Sequence, residues 1–510
     1  MQVVWFKKDL RVEDHIPLAR AARAGKCLCL FIYEPEIIHS EEFDTSHLNF
    51  ANQALVELDL RLRELGGRLV FRVGEATEVL QELHHLHAID ALWSHQETGN
   101  QLTFARDTRV ASWARRNGIR WTEISQDGVV RRLKSRNGWA KKRDAFLSEA
   151  IEPVPTSVTW FETSKPGRVL NSDDLGLPRC EKVGLQIGGT SHAQATLRGF
   201  LFNRGERYKT EMSSPVTAPK SCSRLSPYLA FGCMSLKSVY AALRERRQEL
   251  QATSVNCRGA KSWLKSLSSF ESRLSWHCHF MQKLEDEPRI EFENLSIVYD
   301  GLREEEFRQS FFDAWCSGQT GYPMIDACMR ALHRNSWINF RMRAMLVSFA
   351  SYHLWLHWRP TAVYLARHFL DFEPGIHFSQ FQMQSGTTGI NTVRIYSPTK
   401  QLIDHDPAGQ FIKEYLPELS NVPEEFLAEP FKMPRSRQMR IGCVIGKDYP
   451  APIVEHAKAY RQAKERIHQI RKRTDAQIQA NEIAQKHGSR KPRRPKRSVN
   501  KPASTQKLLF

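Results

Sequence analysis

The chain has 510 residues, of which 41% are hydrophobic and 25% are charged. This is an ordinary globular composition, and it excludes collagen-like, mucin-like and wholly disordered chains. No run of about 18 uninterrupted apolar residues is present, which excludes a membrane-spanning helix. The first ten residues carry Lys7, Lys8 and Asp9 where a signal peptide needs an apolar run. We therefore expect a cytoplasmic protein.

Basic residues exceed acidic residues by 18, and most of this excess lies near the end of the chain. Residues 466–510 contain 13 basic and 2 acidic side chains, a net charge of +11. Such an excess favours a polyanionic partner, most simply nucleic acid. A solvated tail without a specific partner has the same composition, so the charge alone leaves both interpretations open.

The ten cysteines are scattered and form no CxxC pair, so zinc-ribbon and thioredoxin-like sites are not expected. We interpret them as reduced, mostly buried thiols. Histidines cluster at residues 84–87 and 277–279, but a spacing of two residues puts the members of a pair on different helix faces. The sequence therefore predicts no metal site.

Short apolar runs alternate with amphipathic segments in the first 130 residues. The runs predict strands at 3–6, 27–33, 69–73, 91–93 and 119–124, and the segments predict helices at 46–65, 76–86 and 102–116. This alternation predicts an α/β domain with a Rossmann-like parallel sheet covered on both faces. No GxGxxG follows the first strand, so the pattern gives no dinucleotide site there.

From residue 151 to about 193 the alternating pattern fades and prolines and glycines recur, and we interpret residues 131–195 as an interdomain linker. Residues 196–447 have helical spacing of apolar residues and predict a second, all-α domain. A C-terminal helix is expected within 448–475. The remaining basic tail, 476–510, is poor in apolar residues and is expected to be disordered.

Two segments of the second domain have side chains suited to chemistry. Residues 221–229 read SCSRLSPYL, so hydroxyls and one arginine precede a helix start. This is the composition of a phosphate site and equally of a capped helix entry. Farther along, Arg341 and Arg343 leave opposite sides of a helix, and an inward-facing one needs a carboxylate such as Asp371 or Glu373.

Tryptophans are frequent in the same half of the chain, at 263, 276, 315, 337, 355 and 358. Large aromatics in a helical bundle are most often core residues. A redox relay or a platform for stacking bases uses the same residues, and composition does not distinguish between them.

Taken in order, several long motifs resemble the DNA photolyase and cryptochrome family. They are VVWFKKDLRVED at residue 3, SRLSPYLAFG at 223, GQTGYP at 318, DACMR at 326 and RIYSP at 394, followed by FIK and LPEL. The resemblance runs from Met1 to about Leu427, and it departs from the common photolyase pattern in ways that indicate an atypical branch.

The resemblance implies an α/β antenna domain followed by an all-α domain that binds FAD in a bent conformation. It implies light-driven electron transfer from reduced flavin to a pyrimidine dimer flipped out of UV-damaged DNA. A second, antenna chromophore of the folate, deazaflavin or flavin type is a further expectation. We expect a monomer whose basic tail adds non-specific affinity for nucleic acid.

Matched to the family motifs, the following residues are expected to bind the flavin: Tyr208, Ser223, Arg224, Leu225, Ser226, Phe270, His277, Trp337, Arg343, Asp371, Glu373 and His377. In this match Trp276 stacks on the flipped dimer, while Arg341 and Gln401 contact DNA. Trp358 corresponds to the middle of a tryptophan electron chain, with Trp355 or Trp315 as its possible outer member.

The departures from the family pattern cluster around the predicted chemistry. Arg273 stands where a glutamate contacts the dimer, and Phe340 replaces an asparagine, although Asn339 is adjacent. His377 replaces the asparagine that faces flavin N5, Met383 replaces the ring opposite Trp276, and Phe381 replaces the tryptophan nearest the flavin. Arg273 is the most informative, because an arginine cannot accept a hydrogen bond.

Three functions follow from these residues. The first is a FAD-dependent photolyase that repairs UV-induced pyrimidine dimers, with Trp276, Arg273, Phe340, His377 and Met383 at the reaction. The second is a cryptochrome-like blue-light photoreceptor without repair, favoured by the altered lesion contacts and the basic tail. The third is a flavoprotein that only binds nucleic acid.

Overall fold

The computed structural model describes residues 1–253 and 258–488. Five parallel strands form one sheet in the order β3-β2-β1-β4-β5. The strands are β1 (Gln2–Phe6), β2 (Cys27–Tyr33), β3 (Leu69–Val73), β4 (Ala91–His95) and β5 (Arg120–Ile124). Each lies within two residues of its predicted position, because four of them are buried apolar runs flanked by polar residues. The predicted parallel α/β domain is confirmed.

Helices cover both faces of the sheet, and apolar cores lie on either side of it. Asp44 caps the longest of them by accepting a hydrogen bond from Ser46 N at 2.9 Å. The first helix was not predicted, because it is only nine residues long and Pro17 stands in its first turn. The helices are α1 (Ile16–Ala24), α2 (Pro35–Ile38), α3 (Thr45–Glu64), α4 (Ala76–His87) and α5 (Gln101–Arg116).

The predicted linker is packed against the α/β domain. Cys27 N donates to Thr159 O at 2.8 Å, and Phe71 N donates to Pro166 O at 2.7 Å. The indole of Trp160 covers the turn after α3 and donates to Leu65 O at 2.7 Å. The segment also contains the helix α6 (Trp139–Phe146) and a short 3-10 helix, Asp173–Leu175.

The second domain is helical throughout its described residues, as predicted. It begins earlier than expected, with a helix that continues into a π-turn at Phe200–Arg204; a second π-turn lies at Phe349–His353. Its helices are α7 (Thr190–Gly199), α8 (Tyr208–Glu211), α9 (Ala218–Ser221), α10 (Ser226–Ala230), α11 (Leu236–Thr253), α12 (Arg258–Asp286), α13 (Gln309–Cys316), α14 (Pro323–Asn335), α15 (Phe340–Ser348), α16 (Trp358–His368), α17 (Pro374–Ser385), α18 (Pro398–His405), α19 (Gln410–Tyr415), α20 (Glu424–Leu427) and α21 (Arg435–Ile441).

Five 3-10 turns join these helices. They are Gly205–Arg207, Pro288–Glu291, Ile297–Tyr299, Pro417–Leu419 and Pro430–Lys432.

The two domains meet at the carboxyl ends of β1 and β4, where the strand order reverses. Leu10 N donates to Phe231 O at 3.2 Å, and Arg11 Nη1 donates to Gly232 O at 3.0 Å. Gly232 has a φ of +64°, and a Cβ built there would lie 2.2 Å from Lys8 O. The junction is therefore a close backbone approach that requires glycine.

Two further helices, α22 (His456–Lys472) and α23 (Thr474–His487), follow the helical domain. The first corresponds to the predicted C-terminal helix. The prediction of disorder from residue 476 is wrong for residues 476–487, which belong to α23; residues 489–510 lie outside the described residues. Helix α23 is ordered because Ile483 packs with Leu284, Ile290 and Leu295. Among the described residues, no helix has the length and apolar character needed to cross a membrane.

Candidate functional site

The segment expected to bind phosphate joins the short helices α9 and α10. Arg204 fixes it from one side, because its guanidinium donates to the carbonyl oxygens of Cys222 and Ser223. Leu225 is buried under the segment, and Ser226 opens α10. The hydroxyls of the segment are thereby held at a helix start, a favourable position for an anion.

Arg224 lies in this segment with a left-handed φ of +59°. Its guanidinium lies 3.9 Å from the ring centre of Trp337, and its Nε donates to Gln186 Oε1 at 3.1 Å. Burial lowers the pKa of Arg224 from 12.5 to about 10. The structure thus brings together two predicted flavin residues, Arg224 and Trp337. Gln186, from the linker, was not predicted, because no local pattern marks it.

The charges around this segment fit a diphosphate. The guanidiniums of Arg204, Arg224 and Arg343 all act on Cys222, so they lie close to one another. The carboxylate of Asp371 is the negative charge that acts on Arg224. Three guanidiniums and one carboxylate therefore leave an excess of positive charge around the segment, which suits an anionic diphosphate such as that of FAD.

Arg343 and Asp371 form a bidentate ion pair, in which Nη1 and Nη2 of Arg343 lie 2.9 and 3.0 Å from the two carboxylate oxygens of Asp371. Arg343 Nε also donates to Ile338 O at 2.9 Å. Burial raises the pKa of a carboxyl, but the neighbouring guanidinium outweighs it and holds the pKa of Asp371 below its usual value. The predicted pairing is therefore observed, and Ser226 joins it through a hydrogen bond to Asp371.

His277 and Glu373 form a second buried pair, with Nε2 and Oε2 2.9 Å apart. Burial opposes protonation of the imidazole, but the Glu373 carboxylate raises the pKa of His277 well above 6.5. The same contact, again against burial, lowers the pKa of Glu373. Neither ring nitrogen of His277 has an aligned hydrogen bond, so the pair retains bonding capacity for a ligand.

His377 lies on α17 and is buried among aromatic rings. Its Nε2 lies 2.8 Å from Ala362 O, so this nitrogen carries the proton and Nδ1 is the acceptor. Burial lowers the pKa of His377 to about 4, which keeps the ring neutral. Phe381 is buried with its ring centre 4.6 Å away, and Met383 follows two residues later, half-buried.

The residues expected at the lesion include two exposed rings. Trp276 on α12 is 42% exposed, and Phe340 at the start of α15 is 47% exposed. The Arg273 guanidinium lies 4.4 Å from the ring centre of Trp276, and its charge also acts to lower the pKa of Tyr208. Tyr208 and Phe270 are buried with their rings 6.1 Å apart. Arg273 therefore lies near both a residue predicted to bind flavin and a residue predicted to stack on a base.

Several polar atoms of the helical domain are buried without a protein partner. They are Ser336 Oγ, Asn339 Oδ1, Arg341 Nε and Gln401 Oε1. Three of the four belong to the turn that separates α14 from α15 and to the first turn of α15. Leaving a buried polar atom unpaired costs about 1–3 kcal/mol, so such atoms indicate a ligand-facing surface. Phe340 itself offers no polar atom, and Asn339 supplies the amide of this turn.

The three candidate electron-transfer tryptophans occupy different surroundings. Trp358 is fully buried, and its indole donates to Asn294 Oδ1 at 2.8 Å. Trp355 is half-buried between the guanidiniums of Arg303 and Arg466. Trp315 packs against Tyr364, six residues beyond Trp358 on α16, which is about 9 Å along the helix axis.

A cavity lies between the two domains at the carboxyl edge of the sheet. Asp9 and His95 line it, and Asp9 Oδ2 is 2.9 Å from His15 Nε2 and 2.7 Å from His95 Nδ1. Leu18 N donates to His15 Nδ1 at 3.1 Å, so His15 Nε2 carries a proton and donates to Asp9. Because this nitrogen is bonded to a proton, it has no free lone pair with which to bind a metal ion. The three side chains instead form a hydrogen-bonded cluster.

Two family profiles match the chain. The profile described as DNA photolyase matches residues 2–142, and the profile described as the FAD binding domain of DNA photolyase matches residues 270–469. The helical domain that holds the two buried ion pairs is therefore the family's FAD-binding domain. The segment at 221–226 lies between the two matched ranges.

Two curated relatives cover nearly the whole chain. A deoxyribodipyrimidine photo-lyase of Alkalihalophilus pseudofirmus is 26% identical over 487 residues, covering 91% of this chain and 97% of the relative. Cryptochrome-2 of Gallus gallus is 27% identical over 500 residues, covering 92% of this chain and 83% of the relative. Photolyases and cryptochromes thus match this chain to a similar degree.

Among solved structures, a bacterial class III photolyase from Agrobacterium tumefaciens has the same fold. The TM-score is 0.80 and the identity 24%, and the match covers 92% of this chain and 98% of that chain. The two profiles, the full-length relatives and the fold agree with the motifs and with the paired charges described above, and on these grounds the chain belongs to the DNA photolyase and cryptochrome family.

Proposed function

We propose that this protein is a FAD-dependent DNA photolyase that repairs UV-induced pyrimidine dimers in blue light. The observation that carries the proposal is the pair of exposed rings, Trp276 and Phe340, next to buried charges of the flavin domain. Trp276 directly precedes His277 on α12, and Phe340 is three residues before Arg343 on α15. An exposed aromatic beside a cofactor site suits a base that must be stacked close to the cofactor.

In this function, a dimer leaves the duplex and stacks on Trp276, which is affordable because a dimer is already poorly paired. Arg341 contacts the DNA that remains outside, whereas Gln401, which the sequence predicted to do the same, is buried and lies too deep for that contact. When bound, reduced flavin would give the dimer an electron on absorbing blue light and take it back after the dimer splits, so that no net oxidation occurs. The Arg343–Asp371 pair fixes the charge beside that group, and His377 offers it an acceptor nitrogen in a dry, aromatic surrounding.

A light-dependent repair assay tests the proposal. Photoreduced protein is mixed with oligonucleotides that carry either a cyclobutane dimer or a pyrimidine–pyrimidone photoproduct, in blue light and in the dark. We expect the protein to repair one of the two lesions in blue light and neither of them in the dark. Trp276→Ala should lower it about tenfold or more, since stacking is worth about 1–3 kcal/mol per base. Phe431→Ala, another exposed aromatic at 41%, is the matched control and should have no effect.

A second candidate, a blue-light photoreceptor without repair, is favoured by Arg273. Its guanidinium covers the ring of Trp276 that a dimer would need, and it offers no acceptor to dimer bases. Absence of repair of both lesions, in protein that binds FAD and photoreduces, would overturn the photolyase and support the photoreceptor.

A second chromophore is also part of the proposal. The interdomain cavity is lined by the basic residues Lys7, Lys8 and Arg11 and by the acidic residues Asp9, Glu97, Asp127 and Glu373, a polar wall that can hydrogen-bond a pigment of the folate, deazaflavin or flavin type. Absorption spectra and chromatography of the chromophores released from purified protein test this. A second chromophore besides FAD is expected, and FAD alone would contradict it.

A further inference from the structure

A compact basic surface follows the sheet, outside the flavin site. It consists of the side chains of Arg132, Lys134, Lys141 and Lys142, all exposed, and we call it the linker basic face. Among the described residues, no carboxylate lies within ion-pair distance of these four side chains. Their neighbours differ: Arg131 pairs with Glu123, Arg136 with Asp286 and Arg143 with Asp144. The four charges are thus available to an outside anion.

The backbone that carries the linker basic face is rigidly held. The Gln282 side chain on α12 bonds both Val130 N and Val130 O, at 2.7 and 2.9 Å. Arg136 and Asp286, both nearly fully buried, are joined at 2.6 Å. Trp139 completes the anchor, because its indole donates to Gly128 O at 3.1 Å. The four cations therefore project from a fixed frame, so binding costs little backbone entropy.

The same helix connects this face to the proposed lesion site. Trp276 and Asp286 are ten residues apart on α12, which corresponds to about 15 Å. Arg143, at the end of α6, reaches Ser275 O at 3.5 Å, directly beside Trp276. A duplex rises about 3.4 Å per base pair, so the face lies within about half a helical turn of DNA from Trp276.

The C-terminal helix lies beside this face and adds no net charge to it, because Glu482 and Lys486 offset each other. Residues 482–486 of α23 share a cavity with residues 132–136 and with the end of α12. Lys486 is fixed there by its ion pair with Glu287. The sequence then continues as SRKPRRPKR at 489–497, so six further basic residues follow the point where the described chain ends beside the face.

We infer that the linker basic face binds the phosphate backbone of duplex DNA beside a lesion. The inference rests on the proposed action on DNA, but it concerns undamaged flanking duplex and needs no light. Guanidinium and ammonium groups without protein partners contact phosphates without reading sequence. Each contact releases counterions, so the binding depends steeply on salt.

The test uses the full-length protein with Arg132, Lys134, Lys141 and Lys142 all changed to Gln. The matched control changes Lys26, Arg68, Arg115 and Arg116 to Gln; these exposed cations flank the opposite edge of the sheet, at or near the starts of β2, β3 and β5. Both variants lose four positive charges. Dissociation constants for an undamaged 30-base-pair duplex are measured in the dark between 50 and 200 mM salt.

The slope of log K against log salt should fall by about 3–4 in the test variant, because each phosphate contact contributes about 0.9. The loss of affinity between 50 and 200 mM salt should therefore be about 10²-fold smaller than in the unchanged protein. The control variant should keep its slope. Equal slopes in the two variants would overturn the inference. It would also be overturned if the test variant bound anionic lipid vesicles more weakly but kept its affinity for DNA.

A further variant tests whether the positive charge of these four side chains, and not their shape, determines the binding. Arg132→Lys with Lys134→Arg, Lys141→Arg and Lys142→Arg keeps the charge and should keep the salt slope. Repair of a dimer in a single strand too short to reach the face reports on the photolyase function separately. If the salt slope falls in the test variant but the unchanged protein repairs no dimer, this inference holds and the proposed photolyase function is wrong.

Discussion

Arg273 separates this chain from a common photolyase more sharply than any other side chain. Its guanidinium stacks on Trp276 and its charge also acts on Tyr208, a predicted flavin residue, so it lies near both rings. A cation over an aromatic face is worth about 0.5–2 kcal/mol, and a stacking base must displace it. The residue therefore sets how easily a base reaches the site.

Arg273→Glu should retain FAD and raise the rate of dimer repair about tenfold, because it frees the Trp276 ring and adds an acceptor. Repair rates and the flavin absorbance of the purified variant measure both effects. Arg273→Met is the control, since it removes the charge and adds no acceptor. Loss of FAD from the glutamate variant would assign Arg273 to the structural framework.

Arg343→Ala or Asp371→Ala should release most of the FAD, because each leaves a buried charge unpaired. Breaking a buried pair costs about 3–5 kcal/mol, equivalent to a hundredfold or more in affinity. The ratio of flavin to protein absorbance after gel filtration is the measurement. Arg330→Ala, which breaks the more exposed pair with Glu418, is the control. Full flavin occupancy in both variants would contradict the assigned role.

His277 should make stability depend on pH. The pKa of His277 is raised in the folded protein, so its contribution is complete below pH 6.5 and fades as pH rises through the raised value. The pKa of Glu373 is lowered, so its contribution is complete above pH 4.5 and fades on acidification. Thermal melts should find His277→Gln less stable than the unchanged protein at pH 6, with a smaller difference at pH 10. An equal difference at both values would contradict this.

Among the elements, α23 is the one that the amino-acid composition fails to predict. It buries few apolar side chains, so its charge and low hydropathy predict disorder. Its stability comes from long-range contacts, namely Ile483 in a small apolar cluster and Glu287 with Lys486 and His487. No pattern local to the helix contains that information.

Ile483→Asp should detach α23 and leave the rest of the chain folded. Burying a charge among Leu284, Ile290 and Leu295 costs several kcal/mol, more than so short a helix gains by packing. Limited trypsin digestion should cleave the variant at Arg473 at least tenfold faster. Ile478→Asp changes an exposed residue of the same helix and should leave cleavage unchanged. Equal cleavage of the two variants would show that Ile483 does not hold the helix.

The sequence predicts the elements that have strong local signals. Buried strands such as β2 are recognisable from unbroken apolar runs, and α3 from its stripe and its glycine stop. The pairing of Arg343 with Asp371 also follows from the motifs. The contact of Gln186 with Arg224 and the stacking of Arg273 on Trp276 were not predictable, because they depend on which rotamer packs across separate segments.

At the scale of the whole molecule, the backbone junction makes the two domains one mechanical unit. Gly232 approaches Lys8 and Asp9 so closely that no side chain fits between them. Asp14 and Lys237 add an ion pair of 3.0 Å across the same boundary, with both side chains buried.

Gly232→Ala should lower the melting temperature and split the unfolding transition observed by calorimetry into two. Its Cβ would strike Lys8 O, and its φ of +64° is unfavourable for alanine by about 1–2 kcal/mol. Gly118→Ala has the same backbone penalty at φ +66°, but nothing lies within 4 Å of the added methyl. The control should shift the melt slightly and keep one transition. A similar result for both variants would show that the close approach at Gly232 does not couple the unfolding of the two domains.

The rigid junction also has an optical consequence. Transfer of excitation between two pigments depends on their separation and on the angle between their transition dipoles. Because the domains are joined through main-chain atoms, the proposed second pigment, if seated on the sheet, would keep one angle to the flavin while the side chains around it fluctuate. Thermal motion at the protein surface would then have little effect on the efficiency of light collection.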